Sequence, residues 1–488
     1  MNLALFAPEI ILAVLAVLVI ILDLFIQRKG WLAALSIVGL LISAGFAVGL
    51  WNETPRTIFN SMLAVDNYAV FFKILFSGIA ILVILASKDY VSRFPRFQGE
   101  YYALILLSAL GMMLMASTTE LISLFVSLEL VNLSLYSLVG FLKDAKSTEA
   151  SLKYLLLSAV ASAVLLFGMA LVYGFTGYTQ LGDIAVAIQS TLPASDPNVL
   201  TNPALFLGLI LMIAGFGFKI AMVPFHMWVP DVYEGAPTPI TAYLSVGSKA
   251  AGFAIILRVF YSAFILPGSL SLDWGMVLAV LAAVTMTAGN IIAIQQNNIK
   301  RMLGYSSIAQ AGYVMVGLAT VGLAPAAATA GQSGLLFFLL SYSFTNLGAF
   351  FAIIAISNKV SSDQINDFAG MGKRSPLMAL ALTLCLISLI GLPPASGFVA
   401  KFYIFSSAVQ NNLLWLVIIA VINSVISAYY YLRVVKVMWM NDPAAADSVE
   451  ASGALKIALL LSCLGVLLFG IAPGIAMHFT SLAKMLGL

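Results

Sequence analysis

Four ionisable side chains in this chain interrupt runs of apolar residues. Glu129 is preceded by LISLFVSL and followed by LVNLSLYSLV. Lys219 lies in GFGFKIAMVPFHMW (215–228), with Pro224 and His226 close behind, Lys249 follows the spaced hydroxyls of Thr241 and Ser245, and Lys401 lies in GFVAKF (397–402) after Pro393 and Pro394. A lysine and a glutamate buried together are poised, because moving or uncharging one changes the proton affinity of the other. That is what a proton relay requires. Glu129 and Asn132 are three residues apart and share one helix face, which Tyr136 continues. Thr241, Ser245 and Lys249, spaced by four, make a second polar stripe. Interhelical hydrogen bonding explains the hydroxyls of such a stripe but not its ammonium. Lys73 and Arg258 also fall inside apolar runs and read as structural charges that reach a polar surface or a neighbouring chain.

The elements that must hold these groups are membrane helices. Of the 488 residues 62% are hydrophobic and only 9% charged, against about 25% charged in soluble domains, and the mean hydropathy is +1.06. A soluble fold cannot hide that much apolar surface. A membrane β-barrel would alternate apolar and polar residues over strands of about ten, whereas these runs are continuous and helix-length. The chain therefore reads as an all-α polytopic membrane protein of about fourteen transmembrane helices, near 5–26, 31–51, 67–87, 101–117, 120–142, 150–174, 204–224, 240–266, 275–296, 302–322, 333–357, 377–409, 413–440 and 455–483. The first run has no basic leader or small-residue cleavage site and reads as a span. With the N-terminus outside, sixteen Lys and Arg residues fall on inside loops and only Arg56 and Lys484 outside, a strong positive-inside bias that puts both termini outside. The longest connection, 175–203, carries no charge but Asp183 and Asp196.

Some chemistries are excluded. Cys385 and Cys463 are the only cysteines, too few for a structural zinc site or an iron–sulfur cluster made by this chain alone. No phosphate loop or dinucleotide fingerprint is present, and nothing points to nucleic acid.

GFGFKI (215–220) and GFVAKF (397–402) both read G-F-x-x-K, both sit beside prolines, and they lie five spans apart. An odd offset reverses direction through the bilayer, so the pair reads as an inverted repeat with broken helices near 215–228 and 391–402. The expected division is a three-helix N-terminal segment (1–100), a first five-helix repeat (101–266), a second (275–440) and a C-terminal helix (441–488).

FHMWVPDVYEGAPTPITAYLS (225–245), NIKRMLGYSSIAQAGYVMVG (298–317) and LIGLPPASGFVAKFYIF (389–405) resemble the antiporter-like membrane subunits of respiratory NADH–quinone oxidoreductase, complex I. The resemblance covers essentially the whole chain. PDVYEGAPTP, Lys401 and the stretch 147–177 favour the N type over the L and M types. The resemblance implies fourteen helices in two inverted five-helix repeats and proton translocation driven by quinone reduction elsewhere. It implies a mid-membrane relay of Glu129, Lys219, His226, Lys249 and Lys401, with Lys401 facing the outer half-channel. It also implies that NADH, FMN, iron–sulfur clusters and quinone are bound by other subunits. The partners would be other complex I membrane subunits, both antiporter-like and small neighbours, in a bacterial cell membrane rather than a thylakoid-type one. Many relatives carry a histidine where this chain has Gln310, and glutamine cannot titrate, so that link is not carried over. Two other readings compete: a subunit of an Mrp-type Na⁺/H⁺ antiporter, which shares the helices and lysines, and a non-pumping structural subunit whose charges only pair helices. The DVYEGAPTP stretch argues against the first, the polar stripes and paired breaks against the second.

Overall fold

The structure is a computed structural model that describes residues 3–51, 53–91, 97–191, 202–264, 269–321, 325–443 and 451–485. Helices dominate it. The N-terminal part holds α1 (Ala7–Phe25), α2 (Gly30–Gly49) and α3 (Asn67–Val91), with a small hairpin of β1 (Arg56–Ile58) and β2 (Leu63–Val65) between α2 and α3. Next come α4 (Gln98–Ser117), α5 (Leu121–Val139), α6 (Ala145–Thr176), α7 (Leu181–Thr191), α8 (Pro203–Ile220), α9 (Trp228–Gly235), α10 (Thr238–Tyr243) and α11 (Lys249–Val259). They are followed by α12 (Ser269–Ile294), α13 (Ile299–Val321), α14 (Pro325–Val360), α15 (Met371–Arg374), α16 (Pro376–Ile390), α17 (Ser396–Gln410) and α18 (Leu414–Met440). The chain finishes with α19 (Gly453–Ile471) and α20 (Pro473–Leu482).

Among the described residues twelve helices are long and apolar enough to cross a membrane. Fourteen were expected. The expected span 302–322 is a continuous helix, α13, buried along almost its whole length, but it carries Ser306, Ser307 and Gln310 and lies outside the twelve. The expected span 377–409 is divided into α16 and α17. The connection expected over 175–203 contains a helix, α7. Span 455–483 bends into α19 and α20 at Pro473, where proline at the first helical position starts a new helix.

Both expected breaks are present, and they share one backbone device. α8 ends with Ala221 in the left-handed region (φ 64°), where the Met222 N–H reaches the Gly217 carbonyl at 2.8 Å and the Ala221 N–H reaches Phe218 at 3.1 Å. α16 ends with Gly391 at φ 91°, where Leu392 N–H reaches Ile387 at 3.2 Å and Gly391 N–H reaches Ser388 at 3.0 Å. Each is a Schellman C-cap, which closes the last turn on carbonyls that would otherwise be orphaned. Pro224 and Pro394 both stand three residues past the cap, each after a cis bond. Proline there has no N–H to continue the helix.

Superimposing the two caps sets Lys219 opposite Leu389, and Lys401 opposite Asp231. The G-F-x-x-K likeness is therefore not the register of the breaks. Lys219 lies in the last turn of the half-helix before its break, and Lys401 in the half-helix after.

Candidate functional site: a buried chain of lysines between two broken helices

α8 carries Lys219 into the interior, where it is 3% exposed. Its ammonium donates to Asn132 Oδ1 at 2.7 Å, and Asn132 Nδ2 donates to Glu129 Oε1 at 3.1 Å. Ser162 on α6 donates to the same Glu129 oxygen at 2.6 Å. The expected Lys219–Glu129 partnership is thus indirect. The i, i+3 spacing on α5 lets Asn132 turn its amide both ways, accepting from the lysine and donating to the carboxylate. Glu129 itself is only partly buried. A cavity of about 10 Å³ lies beside Lys219, with Asn132, Ser158 and Ser162 in its wall, room for about one water with several polar partners.

The freed backbone at the first break is satisfied locally. Trp228 Nε1 donates to the Phe218 carbonyl at 3.1 Å, and Val223 N–H donates to Thr285 Oγ1 at 3.1 Å. Such pairing is what allows irregular backbone at membrane depth.

Lys249 begins α11 directly after a π-helical turn, Leu244–Ser248. π-turns inside α-helices frequently mark functional positions, since they re-aim the side chains around them. The Lys249 ammonium donates to both the carbonyl and the Oγ of Ser307, at 2.5 Å each. Ser307 Oγ is also in contact with Tyr342 OH at 2.8 Å and Tyr233 OH at 3.3 Å. Thr241 and Ser245, expected to continue the stripe, bond elsewhere: Thr241 to the Tyr233 carbonyl, and Ser245 to the Ala242 carbonyl and Asn346.

Lys401 is 5% exposed. It donates to the carbonyls of Leu389 at 3.2 Å and Ile390 at 2.9 Å, and to Ser424 Oγ at 3.1 Å. Those carbonyls are the last of α16, so the ammonium caps the negative end of a helix dipole. Its Nζ lies over the Tyr313 ring, 4.2 Å from the centroid, a cation–π contact. Gln310 donates to the same Leu389 carbonyl at 3.0 Å, so it orients the lysine's acceptor. Two glycines permit this approach. A Cβ on Gly391 would stand 2.9 Å from Lys401 Cδ, and one on Gly397 would stand 1.9 Å from the Ser388 carbonyl. A second cavity of about 10 Å³ joins Lys401, Gln310, Ser341, Tyr342, Thr345 and Ser388.

The geometry therefore assembles Glu129–Asn132–Lys219 at one end. At the other it assembles Lys249–Ser307–Tyr342, which opens into the cavity that Lys401 lines. α8 and α11 meet between them, with a Cβ on Gly252 only 3.2 Å from Lys219 Cγ. His226 stands in the first break, half-buried, beside the Pro224 backbone. Among the described residues no hydrogen bond joins it to Lys219 or Lys249.

Several polar groups escaped the sequence reading. Asn132 was placed on the right face but not as the bridge, and Ser307 and Tyr342 had no motif. At one end of the bundle Asp231 pairs with Lys153 (2.8 Å) and Arg301 (2.5 Å), Arg301 with Glu234 (3.1 Å), and Lys153 with Glu149 (2.8 Å), around a depression of about 210 Å³. Burial alone would raise the Asp231 carboxyl, but hydrogen bonds from Lys153 and Arg301 outweigh it and hold it below the ordinary 3.8. Lys73 and Arg258 find partners inside the chain: Lys73 with Glu9 at 2.7 Å, Arg258 with both oxygens of Asp66 at 2.6 and 3.0 Å.

The family model described as NADH:quinone oxidoreductase/Mrp antiporter, transmembrane, matches residues 117–427. The chain belongs to that family. NADH-quinone oxidoreductase subunit N of Dehalococcoides mccartyi is 55% identical over 470 residues, 96% of this chain and 96% of that protein. A chain of respiratory complex I from Thermus thermophilus is 32% identical, with a TM-score of 0.80, covering 96% of this chain and 98% of that one. A chain of the Mrp complex from Dietzia sp. superimposes with a TM-score of 0.83 over 99% of this chain and 97% of that one, at 19% identity. That last likeness shows the shared fold alone.

Proposed function

We propose that the chain is the N-type proton-translocating membrane subunit of an NADH–quinone oxidoreductase, coupling NADH oxidation and quinone reduction in other subunits to proton movement through this one. One observation carries the reading: Lys219, Lys249 and Lys401 are buried together and held by neutral hydrogen-bonding groups, with a water-sized cavity beside the first and the last. A buried charge in a membrane helix costs about 2.5–3.5 kcal/mol on insertion scales. Among the described residues none of the three is held by a direct salt bridge, so helix pairing alone does not account for them.

In this reading Glu129 and Lys219 form the input end, tied through Asn132. Lys249 sits at the centre, and Lys401 delivers protons to the outer side. His226, at the first break, relays between Lys219 and Lys249 through water. Gln310 positions the Leu389 carbonyl instead of titrating. The matching caps at Ala221 and Gly391 support an inverted pair of repeats over 101–266 and 275–440, after a three-helix segment and before a C-terminal one. Other antiporter-like and small membrane subunits of the complex flank the chain, and the subunits that carry NADH, FMN, iron–sulfur clusters and quinone lie elsewhere. The protein is multi-pass in a bacterial cell membrane, with both termini outside.

The test has two stages. Gently solubilised membranes are run on a native gel and stained for NADH dehydrogenase activity, and the chain should migrate with that activity. Lys401→Ala should then impair proton pumping in a complex that still assembles. Migration apart from the activity, as an Mrp-type subunit would show, overturns the complex I assignment. Unimpaired pumping by the variant overturns the relay.

A further inference from the structure

A further cavity, much larger than those in the polar chain, lies on the other side of α14. It measures about 700 Å³ and its wall is almost wholly apolar. Trp51 closes it near the end of α2, α3 contributes Phe71 to Leu82, and α14, α19 and α20 complete it with Phe344, Leu461 and Phe479. From Phe71 to Leu82 it follows α3 for about 16 Å, at about 1.5 Å per residue. That is half of a hydrocarbon core of about 30 Å, so the cleft belongs to one leaflet.

We infer that this cleft is a binding site for the acyl chains of one anionic phospholipid. Water has no partners there, since the wall offers it almost no polar atoms, and an apolar cavity of this kind stays dry. The Trp51 and Phe479 rings, both in its wall, meet edge to face at 5.9 Å. Flexible hydrocarbon suits such a cleft.

The head group is specified by charge. Arg56 and Lys484 are the two basic residues outside the fourteen expected spans on the terminal side of the chain, and both lie by the start of α3, Arg56 opposite Val65 in the hairpin. Lys484 is exposed and is tied to the top of α3, because its carbonyl accepts from the Tyr68 N–H at 3.2 Å and the neighbouring Leu482 carbonyl accepts from Asn67 Nδ2 at 3.1 Å. Tyr68 is one turn above Phe71, which lines the cleft. Arg56 opens the hairpin and pairs with the exposed Glu53 at 2.7 Å. Basic residues at a membrane surface attract anionic lipid, and tryptophan at that level anchors at the interface. The bound lipid would pack against Ser343, Phe344 and Leu347 of α14. The same helix presents Tyr342, Thr345 and Asn346 to the polar chain. The inference depends on membrane embedding and not on the proposed proton path.

Gly78 provides the test. It lines the cleft, and a Cβ there meets nothing within 4 Å, so Gly78→Phe fills the space without a backbone clash. Gly45, whose Cβ is equally free, lies outside the cleft, and Gly45→Phe serves as the control. The purified assembly that contains this chain is examined by native mass spectrometry. Wild type and Gly45→Phe should retain one more phospholipid than Gly78→Phe. After detergent stripping, wild type should take up phosphatidylglycerol in preference to phosphatidylcholine, and Arg56→Gln/Lys484→Gln should lose that preference. Equal lipid retention by the filled variant, or a quinone in place of the phospholipid, overturns the site. Equal uptake of the two lipids by wild type overturns the head-group assignment.

Discussion

Replacing Asn132 by leucine, which has the same branching, removes the amide that joins Lys219 to Glu129. The lost contacts are the 2.7 Å bond from the ammonium and the 3.1 Å bond to the carboxylate. A hydrogen bond to a charged group contributes about 1.5–3 kcal/mol. At about 1.4 kcal/mol per tenfold, its loss corresponds to about 10- to 150-fold in the equilibrium between the connected and disconnected arrangements. The cavity beside Lys219 has room for about one water, which can replace part of the bond, so the lower end, about tenfold, is expected. The assay is the assembled enzyme in inverted membrane vesicles, with dye quenching read against NADH oxidation. Proton transfer through this chain should fall about tenfold while assembly on native gels is unchanged. The combination with Glu129→Gln then decides the cause. If Asn132 acts only as the bridge, Asn132→Leu adds little once Glu129 is neutral, because the two changes remove one interaction. Independent, additive losses would refute the bridge, as would full-rate pumping by the single variant.

Three further outcomes follow from the same geometry. Arg258→Met leaves the buried Asp66 carboxylate without its guanidinium and should cost about 3–5 kcal/mol, seen as a lower thermal inactivation temperature of the assembled complex; Asp66→Leu/Arg258→Leu should recover part of it, and no recovery would show that the bonds from Arg258 to the Ala116 carbonyl carry the effect instead. Ala221→Gly should stabilise the first break by about 1–2 kcal/mol, because alanine at φ 64° bears a left-handed cost that glycine does not, whereas Gly391→Ala should destabilise the second by more, since its new Cβ would also press on Lys401 Cδ at 2.9 Å; thermal inactivation of both variants checks the pair. The Asp231 carboxyl is held below 3.8 in the folded chain, so the stability it adds is present above that value and is lost only as pH falls through the lower folded value. The thermal midpoint gap between wild type and Asp231→Asn should therefore be constant from neutral pH to about pH 5 and close at pH below about 4; a gap that closes between pH 6 and pH 8 would contradict it.

Much of the site was legible because the bilayer punishes charge. Glu129, Lys219, Lys249 and Lys401 stood out as expensive residues in apolar runs, and each of the three lysines is indeed buried. The breaks were legible too, since proline cannot continue a helix. The register between them was not. A five-residue likeness around each lysine suggested equivalence, but the caps are backbone devices, and Ala221 carries no glycine to announce the first. The partners of the lysines were equally hidden. Lys73 and Arg258 looked free to reach a surface or another chain, yet Glu9 and Asp66 meet them from 64 and 192 residues away in sequence.

The sequence by itself determined the class of molecule, the helices and the residues worth questioning. Those depend on local hydropathy, proline and the cost of burying charge, all of which are written residue by residue. Only the tertiary structure decided that Asn132 stands between Lys219 and Glu129, that Ser307 receives Lys249, and that the end of α16 receives Lys401. Those choices depend on which helix faces meet, and a hydroxyl, an amide or a main-chain carbonyl becomes a partner only when packing brings it within about 3 Å of a donor.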